Sequence, residues 1–600
     1  MSKKPKQQDI PVQPPRWVAI GLLLTLTLAV FGQAGSFEFL SWDDDRDVYK
    51  NPHISSGLTW NSFLWDWRAL ESGHWIPLTR LSHQLEYTAF GPSPGAFHTT
   101  NIVLHLATTL VVFLALERMT KARLPSALAT AWFAIHPMRS ESVAWVVERK
   151  DCLSGFFAAL TLYAYVHYAD RVENRKRFVV LLGLFVLALL SKASVAPLPI
   201  GFLLLDVWPL RRVERGWRTL IVEKLPLVAA AFGSGVVTLY ARHIGVKDSG
   251  LHAGLSAYDK AANFFISTVL YLRDTVWPVG LSALYPFEAG LPVWQTAASA
   301  ALVGGITWWT LSRKSTEPWL AVGWLWYLIL VFPFSGLVMD GIQSRADRYT
   351  YLPHVILFLT IIWSFHVRVG GGIRVPCAAL AALLAAAAYV NTGYWKDSVT
   401  LFERSIEMTG NNSLLVTSLA FEKMKRLQWD ESQRLFELAA RSRPLDPRVH
   451  IDLADFLLKR GKPTEALWEA DEAIRNRGEE SDARQVRGAV LAELGRREEA
   501  LEDLRIAAER GPTDGWKGEN WTIRGEYLLM WERPVEAEAD FRKALRLVEP
   551  PHVSQRDLGI ALLRQGRRAE AIRELQDRLN QEPGDEVARK ALADAVKLPN

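Results

Sequence analysis

The sequence predicts an all-α protein in two parts, a polytopic membrane domain of about eleven helical spans followed by a solenoid of stacked helix pairs. Three observations carry that expectation. Long apolar runs dominate the chain up to residue 395 and are absent beyond it. Clusters of Lys and Arg recur in alternate connections between those runs. In the last third, Ala and Gly return at a spacing of 34 residues, the period of a helix–turn–helix array. The averaged composition hides this division, since 49% hydrophobic and 22% charged residues give a mean hydropathy of only +0.05.

Residues 1–16 carry Lys3, Lys4, Lys6 and Arg16 and read as a cytoplasmic tail. A span needs about 20 apolar residues, and the run 17–36 supplies them. This run outlasts a signal-peptide core and lacks a small-x-small exit before Phe37, so it reads as a retained helix. Further spans are expected near 99–117, 124–137, 152–169, 178–191, 194–209, 225–241, 293–312, 317–338, 350–367 and 375–394. With that threading the basic clusters Arg118–Arg123, Arg171–Arg177, Arg211–Lys224, Arg313–Lys314 and Arg368–Arg374 all share the side of the N-terminus. Segment 260–278 breaks the alternation. Asp259, Lys260, Arg273 and Asp274 make it an interfacial helix on the outer face. Eleven crossings leave the C-terminal part outside the cytoplasm. The setting that follows is a bacterial inner membrane with a periplasmic C-terminal domain, an ER membrane being the alternative. No stripe of basic residues interleaved with aromatics suggests nucleic acid as a partner. Cys152 and Cys377 both lie in apolar runs, which excludes a disulfide framework.

The first outer loop, 37–98, holds Asp43, Asp44, Asp45 and Asp47 with Arg46, Lys50 and Asn51. Neighbouring carboxylates repel one another, so a cation meets them or one serves as a base, the alternative being a solvated acidic turn. Arg139, Arg149, Lys150, Lys192, Arg345 and Arg348 lie in later outer loops, where positive charge is disfavoured. Pairing with Glu148 and Asp347 accounts for single members. The convergence of the whole set fits an anionic ligand, because Arg grips phosphate in a bidentate manner. His74, His98, His105, His136 and His354 match no zinc spacing, and only His136 is kept as a candidate site residue. An Mg2+ or Mn2+ ion on Asp43–Asp45 remains open. Tyr285-Pro286-Phe287 is assigned to the interfacial aromatic belt. No Gly-rich phosphate loop follows a strand, so a soluble nucleotide-sugar donor is not indicated.

The run Asp44-Asp45-Arg46 to Asn51 after a first span resembles the first extracytoplasmic loop of GT-C superfamily glycosyltransferases. With Pro77-Leu78-Thr79, Ala134-Ile135-His136-Pro137, Glu148-Arg149-Lys150-Asp151 and the stretch Asp347 to Pro353, it resembles more narrowly the transmembrane and tetratricopeptide repeat-containing O-mannosyltransferases and their bacterial relatives. The resemblance implies a GT-C-like domain over 17–395 that moves a mannose-type sugar from a polyprenyl-phosphate donor to a protein Ser or Thr. It implies Asp44 as the base toward the acceptor hydroxyl, Asp45 as its acidic neighbour and Asp43 as the substitute if the register slips. Arg149 and Arg348 take positions near the donor phosphate, joined by Lys150, Lys192 and Arg345. Arg46, Asn51, His136, Glu148 and Asp347 support them. Asn51-Pro52 departs from the relatives' frequent Asn-Asn. Displacement by a hydroxyl on the opposite face inverts the anomeric centre. The alternatives are a glycan or lipid acceptor, or an inactive scaffold that recruits proteins. A transporter is disfavoured because the charges cluster at one face.

Residues 396–411 read as a linker. Beyond them Ala466 and Ala500, and again Ala537 and Ala571, are 34 apart, and the middle step of 37 marks an insertion near Pro512–Lys517. Gly461, Gly495 and Gly566 mark turns, Glu532 replaces the fourth glycine, and Ala473, Ala507 and Ala544 keep the second-helix register. This is a tetratricopeptide signature of about five units from 412 to 584 with a cap to Asn600. The groove of such a stack suits an acceptor polypeptide, a rigid spacer or dimer surface being the alternative.

Overall fold

Helices form nearly all regular structure in the computed structural model, which describes residues 15–70, 73–245, 256–287, 289–336, 343–477, 481–548 and 553–597. The exception among the described residues is a short antiparallel pair, Tyr285–Pro286 with Gln343–Arg345. The chain divides after Gly410 into two compact units.

Among the described residues of the first unit, five helices are long and apolar enough to cross a membrane: Arg16–Ser36, Pro94–Thr120, Arg149–Ala169, Trp217–Ile244 and Arg374–Gly393. Ala193–Val207, Pro318–Phe334 and Pro353–Val369 are apolar but shorter. Several expected spans are therefore shorter than a crossing. Segment 124–137 folds as the 12-residue helix Arg123–Ala134, about 18 Å at 1.5 Å per residue against a hydrocarbon core of about 30 Å. Large apolar side chains stand outward on the long helices, with Trp17 and Phe232 each 74% and Val375 78% exposed. Water would penalise such surfaces and lipid does not, so this unit is built as a membrane protein.

The helix Ala257–Val276, expected to lie at the interface, starts on a reciprocal Ser256–Asp259 cap. It packs Tyr271 into a cluster with Met138, Tyr327 and Leu357. The expected linker contains the helix Ser398–Thr409, capped by Asp397, which buries Val399, Leu401 and Phe402. It docks on loop one: the Ser41 amide donates to Ser398 Oγ at 2.9 Å, the Glu38 amide to the Lys396 carbonyl at 3.0 Å, and Trp42 meets Phe402 edge-on at 5.6 Å. Its apolar positions fall on one face, a helical period that its position just after the last apolar run obscured.

The second unit consists of paired helices: Ser413–Lys425 with Trp429–Ser442, Pro447–Lys459 with Pro463–Arg477, Ser481–Glu493 with Arg497–Arg510, Asp514–Met530 with Pro534–Leu547, and Val553–Arg564 with Arg568–Gln581. Glu586–Lys597 follows as the last described helix. The 37-residue step resides in the longer first helix of the fourth pair. Ala466, Ala500, Ala537 and Ala571 are fully buried, and Ser432 takes their place in the first pair, its hydroxyl donating to the Ala420 carbonyl at 2.8 Å. Equivalent acids on the second helices engage the first helices of their own pairs: Glu469 meets His450, Asp503 meets Arg484 and Arg487, and Asp540 meets Arg524. The second, third and fourth pairs are thereby stitched at the same level.

Gly461, Gly495 and Gly566 turn between helices at φ 71°, 76° and 78°, and Glu532 occupies the same left-handed conformation at φ 59°. A side chain there costs about 1 kcal/mol or more, partly offset by the lower unfolded-state entropy of a non-glycine residue. Glu532→Gly is therefore expected to raise the stability of the repeat unit by roughly 0.5–1 kcal/mol, read as a higher midpoint in chemical unfolding. A lower midpoint would contradict the strain assigned to this turn.

Candidate functional site

Loop one is organised by a four-residue period. Leu40, Asp44 and Val48 fall at i, i+4 and i+8 around a helical turn, and all three are buried. Asp44 therefore points inward. Its Oδ2 accepts from the Leu40 amide at 2.8 Å and its Oδ1 from the Val147 amide at 3.0 Å. Burial pushes its carboxyl up to about 7 against the pull of those two amides. The residue expected as the base thus staples loop one to the turn before Glu148, and both of its oxygens are occupied.

Its neighbours diverge from it. Asp43 is half-buried and pairs with Arg46 at 2.9 Å. Burial raises its carboxyl to about 6, with Arg46 and Lys150 opposing and Asp47 and Glu148 reinforcing the rise. Asp45 pairs with Lys50 at 3.2 Å. Arg46 also grips Asp47 through two bonds of 2.8 and 3.1 Å. Asn51 caps the short helix Pro52–Ser55, its Oδ1 accepting from the His53 amide at 3.0 Å. Proline at the first helical position suits this cap, so the Asn51-Pro52 departure is locally consistent. Among the described residues no group of three or more His, Cys, Asp or Glu side chains is arranged to hold a metal ion.

Three of the expected phosphate-binding cations meet on one carboxylate. Buried Glu148, at the start of the helix Arg149–Ala169, has Lys150 at 3.1 Å, Lys192 at 3.2 Å and Arg348 at 3.2 Å. Lys192 also reaches Asp151 at 2.5 Å, and Arg348 pairs with Glu141, which accepts the Arg348 amide at 2.8 Å. Burial alone would raise the Glu148 pKa, but Lys150, Lys192 and Arg348 hold it well below the usual carboxylate range. Gly155 permits the approach: a Cβ there would lie 2.5 Å from the Tyr351 ring. Tyr351 is fixed in turn by His105, whose Nε2 donates to the Ala134 carbonyl at 2.8 Å and whose Nδ1 accepts the phenol at 2.6 Å.

The other candidates lie elsewhere. Arg149 is fully buried and donates to Glu86 at 2.7 Å, to the Phe97 carbonyl at 2.8 Å and to Asn101. It ties loop one to the helix Pro94–Thr120 instead of facing the Glu148 cluster. Arg345 pairs with Asp274 and stacks 3.6 Å over the Tyr285 ring, while the Tyr285 hydroxyl donates to Asp347 at 3.1 Å. Tyr285 is therefore a buried pin and not part of an interfacial belt. His136 donates to the Thr275 carbonyl at 3.0 Å and accepts the Met138 amide, so both ring nitrogens serve the fold. Sequence reasoning missed Glu86, Asn101, Glu141, Asp151 and Asp274 as the partners of these cations. Glu86 gave no signal, because the helix Pro77–Phe90 buries polar residues, among them Arg80, His83 and Gln84, along what reads as a solvated face.

A cavity of about 370 Å³ adjoins the Asp43–Arg46 pair. Arg46, Asp47, Asn51, Trp65, His83 and Lys150 are among its lining residues. Lys150 thus connects the cavity to the Glu148 cluster.

Comparison with known proteins gives similarities over both units. A tetratricopeptide repeat family model matches residues 419–477. Protein O-mannosyl-transferase Tmtc1 of Drosophila melanogaster is 32% identical over 163 residues, 26% of this chain and 18% of that protein. Protein O-mannosyl-transferase TMTC1 of Homo sapiens is 23% identical over 521 residues, covering 76% and 55% of the two chains. Protein O-mannosyl-transferase TMTC4 of Mus musculus is 24% identical over 517 residues, covering 76% and 66%. The chain thus matches less than two thirds of the length of each of these relatives. It resembles O-mannosyltransferases that combine membrane helices with tetratricopeptide repeats.

Proposed function

We propose that the first unit transfers a mannose-type sugar from a polyprenyl-phosphate donor to a Ser or Thr hydroxyl of a protein outside the cytoplasm. The observation that carries this reading is the meeting of Lys150, Lys192 and Arg348 on Glu148 beside the half-buried Asp43. The names of the similar proteins support the sugar and the acceptor class. Asp43 takes the acceptor's proton while the hydroxyl oxygen bonds to the anomeric carbon. The bond from that carbon to the phosphate oxygen breaks, and its electron pair leaves with the phosphate, whose growing charge the cations stabilise. Attack opposite the leaving group inverts the anomeric centre. Glu148 acts as a positioning residue that keeps three like charges within reach of one another. The second unit presents its groove to the acceptor polypeptide.

The test is transfer from mannosyl-phosphoryl polyprenol to a Ser/Thr-rich peptide by the purified chain in nanodiscs. Labelled glycopeptide of inverted anomeric configuration is the expected product. Absence of transfer to any hydroxyl-bearing acceptor would remove the assignment. The pH dependence follows from Asp43. A base must be ionised, so kcat/KM should fall about tenfold per pH unit below an apparent pKa near 6 and level off above it. A profile flat between pH 5 and 8 would exclude Asp43 as the base.

A further inference from the structure

Two neighbouring pairs of the second unit share one arrangement of acids and differ at the position between them. In the third pair, Arg487 of the first helix reaches Asp471 of the preceding second helix at 2.9 Å and Asp503 of its own pair at 2.6 Å. Arg484 holds the same Asp503 at 2.7 Å. At positions 34 residues earlier the acids recur as Glu437 and Glu469, and His450 holds Glu469 at 2.7 Å where Arg484 holds Asp503. The position of Arg487, however, is taken by buried Leu453, which brings no charge to either acid. Glu437 is left with Gln433 at 2.9 Å and with Arg441, 80% exposed, at 3.5 Å. An exposed ion pair of that length contributes little. Between Glu437 and Glu469 lies a trough of about 510 Å³, with Ala440, Leu453 and Leu457 as its apolar floor. Its side carries Trp468, 57% exposed and the only exposed aromatic among the described residues of this unit. The equivalent positions of the other pairs hold Arg434, Glu502, Ala539 and Arg573, so stacking of the pairs does not call for a ring there.

We propose that this trough binds an arginine of a partner polypeptide, its guanidinium lying between Glu437 and Glu469 with one face on Trp468. The chain's own Arg487 is the template, since it occupies the same position between the equivalent acids. Arginine suits the site better than lysine. Its planar fork reaches two carboxylates at once and its face stacks on an aromatic ring, whereas an ammonium is a compact point charge. The apolar floor receives the methylene stem. The fourth pair already combines these elements within the chain: Arg524 meets Asp540 at 2.6 Å and lies 5.7 Å from the centre of the Trp521 ring.

The test uses the full chain in nanodiscs and a dye-labelled Gly/Ser peptide with one central arginine, beside the same peptide with citrulline or lysine in its place. Binding is read by fluorescence anisotropy and involves no turnover, so the result stands apart from the transfer reading. Citrulline keeps the shape of arginine and loses its charge. The arginine peptide is expected to bind about tenfold more tightly than the citrulline peptide, with lysine between them. Trp468→Ala and Glu437→Gln alter exposed or partly exposed side chains. Each should weaken the arginine peptide about three- to tenfold with the unfolding midpoint unchanged. Leu453→Arg places a guanidinium in the trough from within and should abolish binding of the arginine peptide to the folded chain. Equal affinity for the arginine and citrulline peptides, or arginine binding that survives all three substitutions, would overturn the site. Self-association of the chain that Trp468→Ala removes, with no peptide bound, would overturn it as well, because a second copy would then be the occupant.

Discussion

Asp43→Asn is expected to lower sugar transfer by about 10²–10⁴-fold, the usual contribution of a positioned general base, while the melting temperature stays unchanged. The side chain is only half-buried and its ion pair with Arg46 is partly solvated, so its loss costs little stability. Asp44→Asn should behave in the opposite way. An amide offers one acceptor where two backbone N–H groups converge, so either the Leu40 or the Val147 amide is left facing a donor. An unsatisfied buried group of this kind costs about 1–3 kcal/mol, and activity should fall with the fraction folded. The measurement is transfer rate and thermal unfolding on both variants side by side. A fully stable, inactive Asp44→Asn protein beside an active Asp43→Asn protein would reverse the assignment of the base.

Glu148→Gln should give the largest stability loss of any single substitution at the site. Glu148 is 1% exposed and neutralises three cations from three separate segments. Breaking a buried ion pair by removing one partner costs about 3–5 kcal/mol, because the remaining charge is left uncompensated in a low-dielectric setting. Its pKa lies far below neutrality, so the carboxylate is ionised throughout the working range. The stability it supplies is complete above its unfolded-state pKa of about 4.3 and is lost only as pH falls through the depressed folded value. Combining Glu148→Gln with Lys150→Met removes the cation whose ion pair at the site is with Glu148, Lys192 keeping Asp151 and Arg348 keeping Glu141, and should recover part of the loss. Unfolding of the native chain and the two variants in detergent measures it. Equal stability of native and Glu148→Gln protein would mean that the cluster is not closed in the resting chain.

The two-part architecture was legible in the sequence because it rests on periodicity and hydropathy, which single residues report directly. The buried alanines of the repeats fall at the positions their spacing required, and Glu532 adopts the glycine conformation. The site was legible only as a pool of residues. Membership in outer loops brought Lys150, Lys192 and Arg348 onto one list, and they do meet. Arg149 sits beside Lys150 in sequence yet turns to Glu86 and Asn101, since successive residues of a helix point about 100° apart. The register of the acidic triplet could have been read from the four-residue spacing of Leu40, Asp44 and Val48. A period of three positions in so short a loop is weak against three equally charged neighbours. Glu148 was on that list, whereas Glu86, Glu141 and Asp274 stayed invisible because the cations they hold lie 63, 207 and 71 residues away.

The docking of residues 396–402 on loop one also bears on the order in which the molecule is made. Glu38 and Ser41 find their partners at Lys396 and Ser398, some 357 residues later. Contacts of such sequence separation form late, since the intervening chain must be synthesised and packed before its ends can meet. At translation speeds of about 5–20 residues per second, loop one waits roughly 20–70 seconds after its own synthesis for this clasp. During that interval the acidic stretch lacks two of its flanking anchors, and the chain carries no finished centre that could act on a nascent neighbour. A ribosome stalled before residue 396 would expose loop one to protease, and one stalled well past Thr409 would not. The last helix before the repeats thus serves as the closing step of biogenesis for a loop laid down at its start.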